Sequence, residues 1–210
     1  MTRLQKTVFA LAAVVAVILG LLVSVLLNTR TEVDTVGLTD AGIILLPESR
    51  AVPAVQMTNQ DGQVVRLDQL TGKWSLLFFG YTFCPDICPT TLATLRDVQN
   101  QLPAQTRARL QVMLVSVDPH RDTPQQLKQY LGYFKSGFQG LVGPIEVLQT
   151  LATGISIPFV PADTRQPNYL VQHSGNLALI GPDGRQRGFI RGPLNGPKLQ
   201  AQLPGLVARD

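Results

Sequence analysis

The sequence predicts an α/β domain with a mixed β-sheet flanked by helices, carried behind one N-terminal apolar segment. Three observations lead there. Val8 to Leu27 form one apolar run, strand-like and helix-like patterns alternate from Trp74 onward, and the last two strand-like stretches flank Asp183-Gly184. Strands separated by helices favour parallel pairing, while Asp-Gly between two apolar stretches signals an antiparallel hairpin, so both kinds of pairing are expected in one sheet.

Across the 20 positions from Val8 to Leu27 only Gly20 and Ser24 fall outside the hydrophobic set. At about 1.5 Å per residue such a helix crosses a hydrocarbon core of about 30 Å. A removable signal peptide has a shorter apolar region, about 7 to 15 residues, and ends in a small-x-small site. Here the exit reads Val25-Leu26-Leu27-Asn28-Thr29, with no adjacent cysteine to accept a lipid. The expectation is an uncleaved transmembrane helix over about 8–27, within a membrane anchor of residues 1–30. Arg3, Lys6 and the amino terminus precede it, and Arg30, Glu32 and Asp34 follow it. The positive-inside rule then leaves the N-terminus in the cytoplasm and the body outside. For a bacterium this means a single-pass inner-membrane protein with a periplasmic C-terminal domain, where thiols can be oxidised.

Residues 31–52 read as a linker, a polar tether with one apolar patch, Ile43 to Leu46, closed by Pro47 as an entry strand. The domain proper is expected over 53–210. Trp74 to Gly80 is a short, aromatic-rich apolar run, the pattern of a buried strand. Thr90 to Leu102 carries Leu92, Leu95, Val98 and Leu102 at helical spacing. Leu110 to Val117 is a second buried strand, ended by Asp118-Pro119. Thr123-Pro124 opens a helix with Leu127, Leu131 and Phe134 on one face. Ile145 to Ala152 is another, between Gly143-Pro144 and Gly154. Asn176 to Ile180 and Gln186 to Ile190 form the hairpin, and Lys198 to Leu203 a last helix.

Composition narrows the function. With 15% charged residues and a mean hydropathy of +0.15 the chain is not a disordered segment. Its 6% aromatic content and 18 basic residues do not make a nucleic-acid-binding surface. Setting aside Arg3, Lys6 and Arg30 leaves 15 basic against 14 acidic residues, so the net charge of +4 reports the anchor's orientation rather than an acidic partner. Two cysteines cannot build a multi-bridge scaffold or a four-thiolate zinc cage.

That one pair, Cys84-Pro85-Asp86-Ile87-Cys88-Pro89, lies where the first buried strand gives way to the first helix. Residues four apart on a helical turn face one side, at a spacing that admits a disulfide or two sulfurs on one ion. The helix N-terminus favours thiolate over thiol. Pro85 and Pro89 suit a helix start. A purely stabilising disulfide gains little from so short a loop. Spacing alone leaves redox, metal and structural roles open.

The string Phe79-Gly80-Tyr81-Thr82-Phe83-Cys84-Pro85-Asp86-Ile87-Cys88-Pro89-Thr90 closely resembles the signature of the Sco/SenC family, membrane-anchored thioredoxin-like proteins that handle copper during cytochrome c oxidase assembly. Ser116-Val117-Asp118-Pro119-His120-Arg121-Asp122-Thr123-Pro124 resembles that family's second motif. His173-Ser174, followed by Gly181-Pro182-Asp183-Gly184, resembles the third. The match covers about residues 50 to 205. It implies a thioredoxin-like fold and assigns Cys84, Cys88 and His173 as copper ligands. Two soft thiolates suit Cu(I), and an added imidazole gives a set able to hold Cu(II) as well; a three-ligand zinc site draws on the same residue types. Three protein ligands also leave a coordination position free for transfer. Two departures stand out: Gln172 replaces the acidic residue common before the histidine, and Gly181 the one common before Pro182.

The resemblance implies a metallochaperone that supplies copper to the dinuclear copper centre of a terminal oxidase subunit, with a periplasmic copper donor and a thiol-disulfide reductant as further partners. The alternatives are a thiol-disulfide reductase in which Cys84 and Cys88 are the catalytic pair, or a copper or redox sensor. His120 reads as an exposed loop residue, and Asp118, Arg121 and Asp122 as residues that cap the next helix and brace the loop. Asp86 either tunes the site by charge or simply faces solvent. Arg185, Arg187, Arg191 and Lys198 gather near the hairpin, as a solvated basic face or a dock for an acidic partner.

Overall fold

The computed structural model describes residues 5, 11–21, 35–166 and 168–208. The chain divides into two units, Met1–Thr35 and Val36–Asp210. In the first, residues 11–21 are helical with exposed side chains. Residues 8–10 and 22–27 of the expected anchor lie outside the described residues. Among the described ones no helix is long and apolar enough to cross a membrane.

The second unit holds the sheet. Helix α1 (Thr35–Asp40) leads into β1 (Ile43–Ala51), the strand that the apolar patch at Ile43 announces. A hairpin follows, β2 (Gln56–Asn59) and β3 (Val64–Arg66). Its turn is built by Asn59, whose Oδ1 accepts the N–H groups of Asp61 and Gln63 at 3.0 and 2.9 Å. Next comes β4 (Trp74–Gly80), buried at all seven positions, as an apolar run with no alternation requires.

Helix α2 (Ile87–Gln101) buries Cys88, Thr91, Leu92, Leu95 and Val98 along one stripe. The short α3 (Ala104–Ala108) leads into β5 (Leu110–Ser116), which runs parallel to β4 from the Trp74–Leu110 pair to the Gly80–Ser116 pair. Helix α4 (Pro124–Gly132) starts where Thr123-Pro124 directs it, with Thr123 Oγ1 accepting the Gln126 N–H at 3.1 Å. It connects to β6 (Gln139–Val142), parallel to β5.

Helix α5 (Ile145–Gly154) precedes a two-stranded ribbon, β7 (Phe159–Val160) with β8 (Gln172–His173). The hairpin β9 (Leu177–Ile180) and β10 (Arg185–Ile190) then closes the sheet, turning at Gly184 with φ +74°. Helix α6 (Gly196–Val207) ends the described chain, capped by Asn195 and packed against α2.

The main sheet runs β1-β10-β9-β4-β5-β6-β2-β3, with β4 against parallel β5 on one side and antiparallel β9 on the other. The mixed sheet expected from sequence is present. The fully buried β4 lies at its centre and ends at the cysteine loop, and the equally buried β9 beside it begins four residues after the histidine.

Candidate metal centre

The site is built at the C-terminal end of β4. Gly80 is the last residue of that strand; the loop Tyr81–Asp86 carries Cys84, and the first turn of α2 carries Cys88. Cys88 is fully buried and Cys84 half-buried, and both thiols are free. A Cβ at Gly80 would stand 2.6 Å from Cys88 Sγ. The strand therefore has to end in glycine for the sulfur to occupy its place. A glycine closing an apolar strand is a sequence signal of such close approach.

His173 comes from β8. Its Nε2 lies 3.6 Å from Cys84 Sγ and 3.5 Å from Cys88 Sγ. Its Nδ1 faces the Ser174 carbonyl at 3.2 Å. A carbonyl only accepts, so Nδ1 carries the proton that faces it and the Nε2 side of the ring faces the sulfurs, the orientation a metal-binding imidazole needs. The rings of Phe78 and Tyr81 stand edge-on to the imidazole, at 6.0 and 5.7 Å between centroids, and limit its rotation.

The three candidate ligand atoms lie within 4.8 Å of one another. Around one ion with an imidazole bond of about 2.0 Å and a thiolate bond of about 2.3 Å, nitrogen and sulfur are separated by about 3.5 Å when the angle is tetrahedral. The observed 3.5 and 3.6 Å match that spacing. Among the described residues no other group of three or more histidine, cysteine or acidic ligands is assembled.

Electrostatics separate the two sulfurs. A hydrogen bond from the Cys88 thiol, outweighing burial, together with His173 and the N–H groups of Asp86 and Cys88, draws Cys84 down to about 3. The same shared proton, together with burial, holds Cys88 well above an ordinary thiol. At neutral pH the metal-free pair thus carries one thiolate and one thiol, and the less buried cysteine is the charged one.

The second motif braces this centre. Buried Asp122 accepts the Thr82 N–H at 3.1 Å, the Thr82 hydroxyl at 2.6 Å and the Ser116 hydroxyl at 2.6 Å, tying the end of β5 to the cysteine loop. Asp118 pairs with Arg121 and accepts the Tyr169 hydroxyl at 2.7 Å. The bracing read from sequence is therefore present, whereas the cap of α4 comes from Thr123 and not from these three residues.

His120 is exposed and packs against Tyr169, away from the ligand set. Asp86 is exposed beside a cavity of about 390 Å³ next to α2. The basic residues near the hairpin are largely occupied by neighbours within the domain: Arg185 with Ser49, Arg187 with Asp183, and Lys198 with Asp40. Tyr81 and Tyr169 were not legible as site residues. Tyr81 stood in the first motif without a role, and Tyr169 lies outside all three motifs.

Over residues 46–208 the chain matches the family model described as SCO1/SenC. The chain belongs to the SCO1/SenC family. A Stutzerimonas stutzeri protein named for copper binding is 51% identical over 173 residues, covering 82% of this chain and 85% of that protein. Among solved structures, apo Sco1 from Thermus thermophilus is 33% identical with a TM-score of 0.69, covering 78% of this chain and 95% of that one. Bradyrhizobium japonicum ScoI, solved with copper bound, is 30% identical with a TM-score of 0.65, covering 73% and 98%. The SCO1/SenC architecture makes this domain a thioredoxin-like α/β fold with a mixed sheet, as the motifs implied.

Proposed function

We propose that this SCO1/SenC protein binds copper through Cys84, Cys88 and His173 and delivers it to the dinuclear copper centre of a cytochrome c oxidase subunit during assembly. The observation that carries the reading is the convergence of two soft sulfurs and an imidazole nitrogen at single-ion spacing. Two thiolates hold Cu(I), and the imidazole extends the site to Cu(II). Cys84 is half-buried, so the site keeps an accessible side from which a recipient's ligand can displace one of its own. Relatives named for copper binding, or solved with copper, support the choice of metal.

In this reading the apolar run Val8 to Leu27 tethers the domain to the bacterial inner membrane. The N-terminus stays in the cytoplasm and the domain faces the periplasm, where a copper donor and a thiol reductant reach it. The test is oxidase activity and copper content in membranes from cells lacking the protein. Added copper is expected to restore both. Restoration by a thiol reductant and not by copper would contradict delivery.

A second reading rests on the opposite titration of the two sulfurs. A half-buried Cys84 thiolate beside a fully buried Cys88 thiol suits exchange: Cys84 attacks a target disulfide to form a mixed disulfide, Cys88 resolves it, and the target leaves as a dithiol while this pair is oxidised. Exchange does not need the imidazole. Normal oxidase assembly in a His173→Ala strain, with failure in either cysteine variant, would select this reading. An unchanged oxidase in the deletion strain would leave a copper or redox sensor.

A further inference from the structure

Among the described residues, His173 sits on a two-stranded ribbon separate from the main sheet. Phe78 of β4 touches the imidazole, but no main-sheet strand is hydrogen-bonded to the strand that carries it among the described residues. The ribbon is instead tied to the body through the segment just before it. Val171 donates its N–H to Tyr81 Oη at 3.2 Å, Arg121 Nη2 donates to the Tyr169 carbonyl at 3.1 Å, and Tyr169 Oη donates to Asp118 at 2.7 Å.

Arg121 is the hub of these ties. Its guanidinium lies 3.7 Å from the centroid of the Tyr169 ring, 4.8 Å from that of Phe83 and 5.6 Å from that of Tyr81. Phe83 adjoins Cys84, and Tyr169 precedes His173 by four residues, so one side chain touches both ligand-bearing segments. Asp118, only 3% exposed, pairs with the same guanidinium and fixes its direction. A planar fork that stacks on rings and also donates to a carbonyl and a carboxylate is a task for arginine, and lysine lacks the plane.

We propose that Arg121, with Tyr169 as its counterpart, is the positioning residue that sets the imidazole of His173 against the two sulfurs, and so governs Cu(II) binding separately from Cu(I) binding. This rests on the copper reading above. Cu(I) is held by the thiolates, whose placement depends on β4, α2 and Asp122. Cu(II) depends on the imidazole, whose placement depends on the ribbon. Freeing the ribbon therefore acts on one oxidation state and spares the other.

The test uses the full chain in detergent, with Arg121→Ala, Arg121→Lys and Tyr169→Phe, each with His173 intact and with His173→Ala. Both Arg121 variants are expected to weaken Cu(II) by about 10- to 100-fold, the usual loss when support of a ligand is removed. Their thiolate-to-Cu(II) absorption band is expected to shift toward that of His173→Ala, while Cu(I) affinity stays within about threefold because both thiolates remain. Tyr169→Phe, which keeps the ring, falls between. In the His173→Ala background the same changes are expected to add nothing. Equal losses of Cu(I) and Cu(II), or an Arg121 effect that persists without His173, would overturn the proposal.

A metal-free measurement separates this outcome from failure of the copper reading. Amide hydrogen exchange at Val171 is expected to quicken by at least about tenfold in Arg121→Lys, with β4 amides unchanged, since local opening acts on its own unit of structure. Unchanged exchange at Val171 would overturn the positioning role of Arg121 whatever the metal does.

Discussion

Cys84 and Cys88 stand four residues apart and titrate in opposite directions because they share one proton and differ in burial. Cys84 is depressed, so its thiolate favours the folded state above the ordinary thiol value of 9.0, and that contribution is lost as pH falls toward about 3. Between those limits its charge does not change. Alkylation of the reduced, metal-free chain is therefore expected to modify Cys84 alone, at a rate that varies by less than about twofold between about pH 5 and 8. A peptide map after timed quenching checks this. Equal labelling of both cysteines, or a rate that climbs about tenfold per pH unit as for a free thiol, would show that the proton is not shared.

At the scale of elements, the centre depends on how β4 ends and how α2 begins. Replacing Gly80 by alanine places a methyl group 2.6 Å from Cys88 Sγ, with Leu114 and Phe78 atoms at 3.1 Å on the other sides. Something in that packed corner has to move. Gly80→Ala is expected to cost about 1–3 kcal/mol, as overpacking does, and to weaken copper binding in both oxidation states because the sulfur itself is displaced. Urea unfolding and copper competition check the two parts; an unchanged affinity would mean that Cys88 is not a ligand.

Much of this level was legible in the sequence. Trp74 to Gly80, with no polar position but Ser75, reads as a fully buried strand and is one, and Thr123-Pro124 marks a helix start because proline and a threonine cap act locally. The candidate ligands were legible through motif order, since the first motif carries both cysteines and the third the histidine, and the structure brings the three together. The ribbon was not. Phe159–Val160 and Gln172–His173 are two residues each and are held by tertiary ties to Tyr81, Asp118 and Arg121, which no local pattern encodes. The hairpin β2–β3 was also missed, although Asp61-Gly62 marks its turn, because its strands are only four and three residues long.

At the scale of the whole molecule, the residues before Pro53 are part of the sheet and not merely a path to it. β1 pairs with β10 from Ile43–Ile190 to Ala51–Arg185, and Leu38, Ala41 and Ile43 are buried at 2%, 2% and 1% exposure. A shortened chain starting at Pro53 would expose the edge of β10 and part of the core. It is expected to lose roughly 3 kcal/mol or more relative to one starting at Thr35, from the burial of Leu38 and Ile43 alone, and to self-associate through the freed edge. Thermal melts and sedimentation of the two chains check this. Equal stability would mean that β1 is an accessory to the domain.

X-ray absorption at the copper edge of the loaded full chain tests the central claim most directly. The account predicts two sulfurs and one nitrogen from the protein, one sulfur fewer in Cys84→Ser and in Cys88→Ser, and loss of the imidazole signal in His173→Ala. A spectrum dominated by oxygen and nitrogen, or one that none of the three substitutions alters, would contradict it.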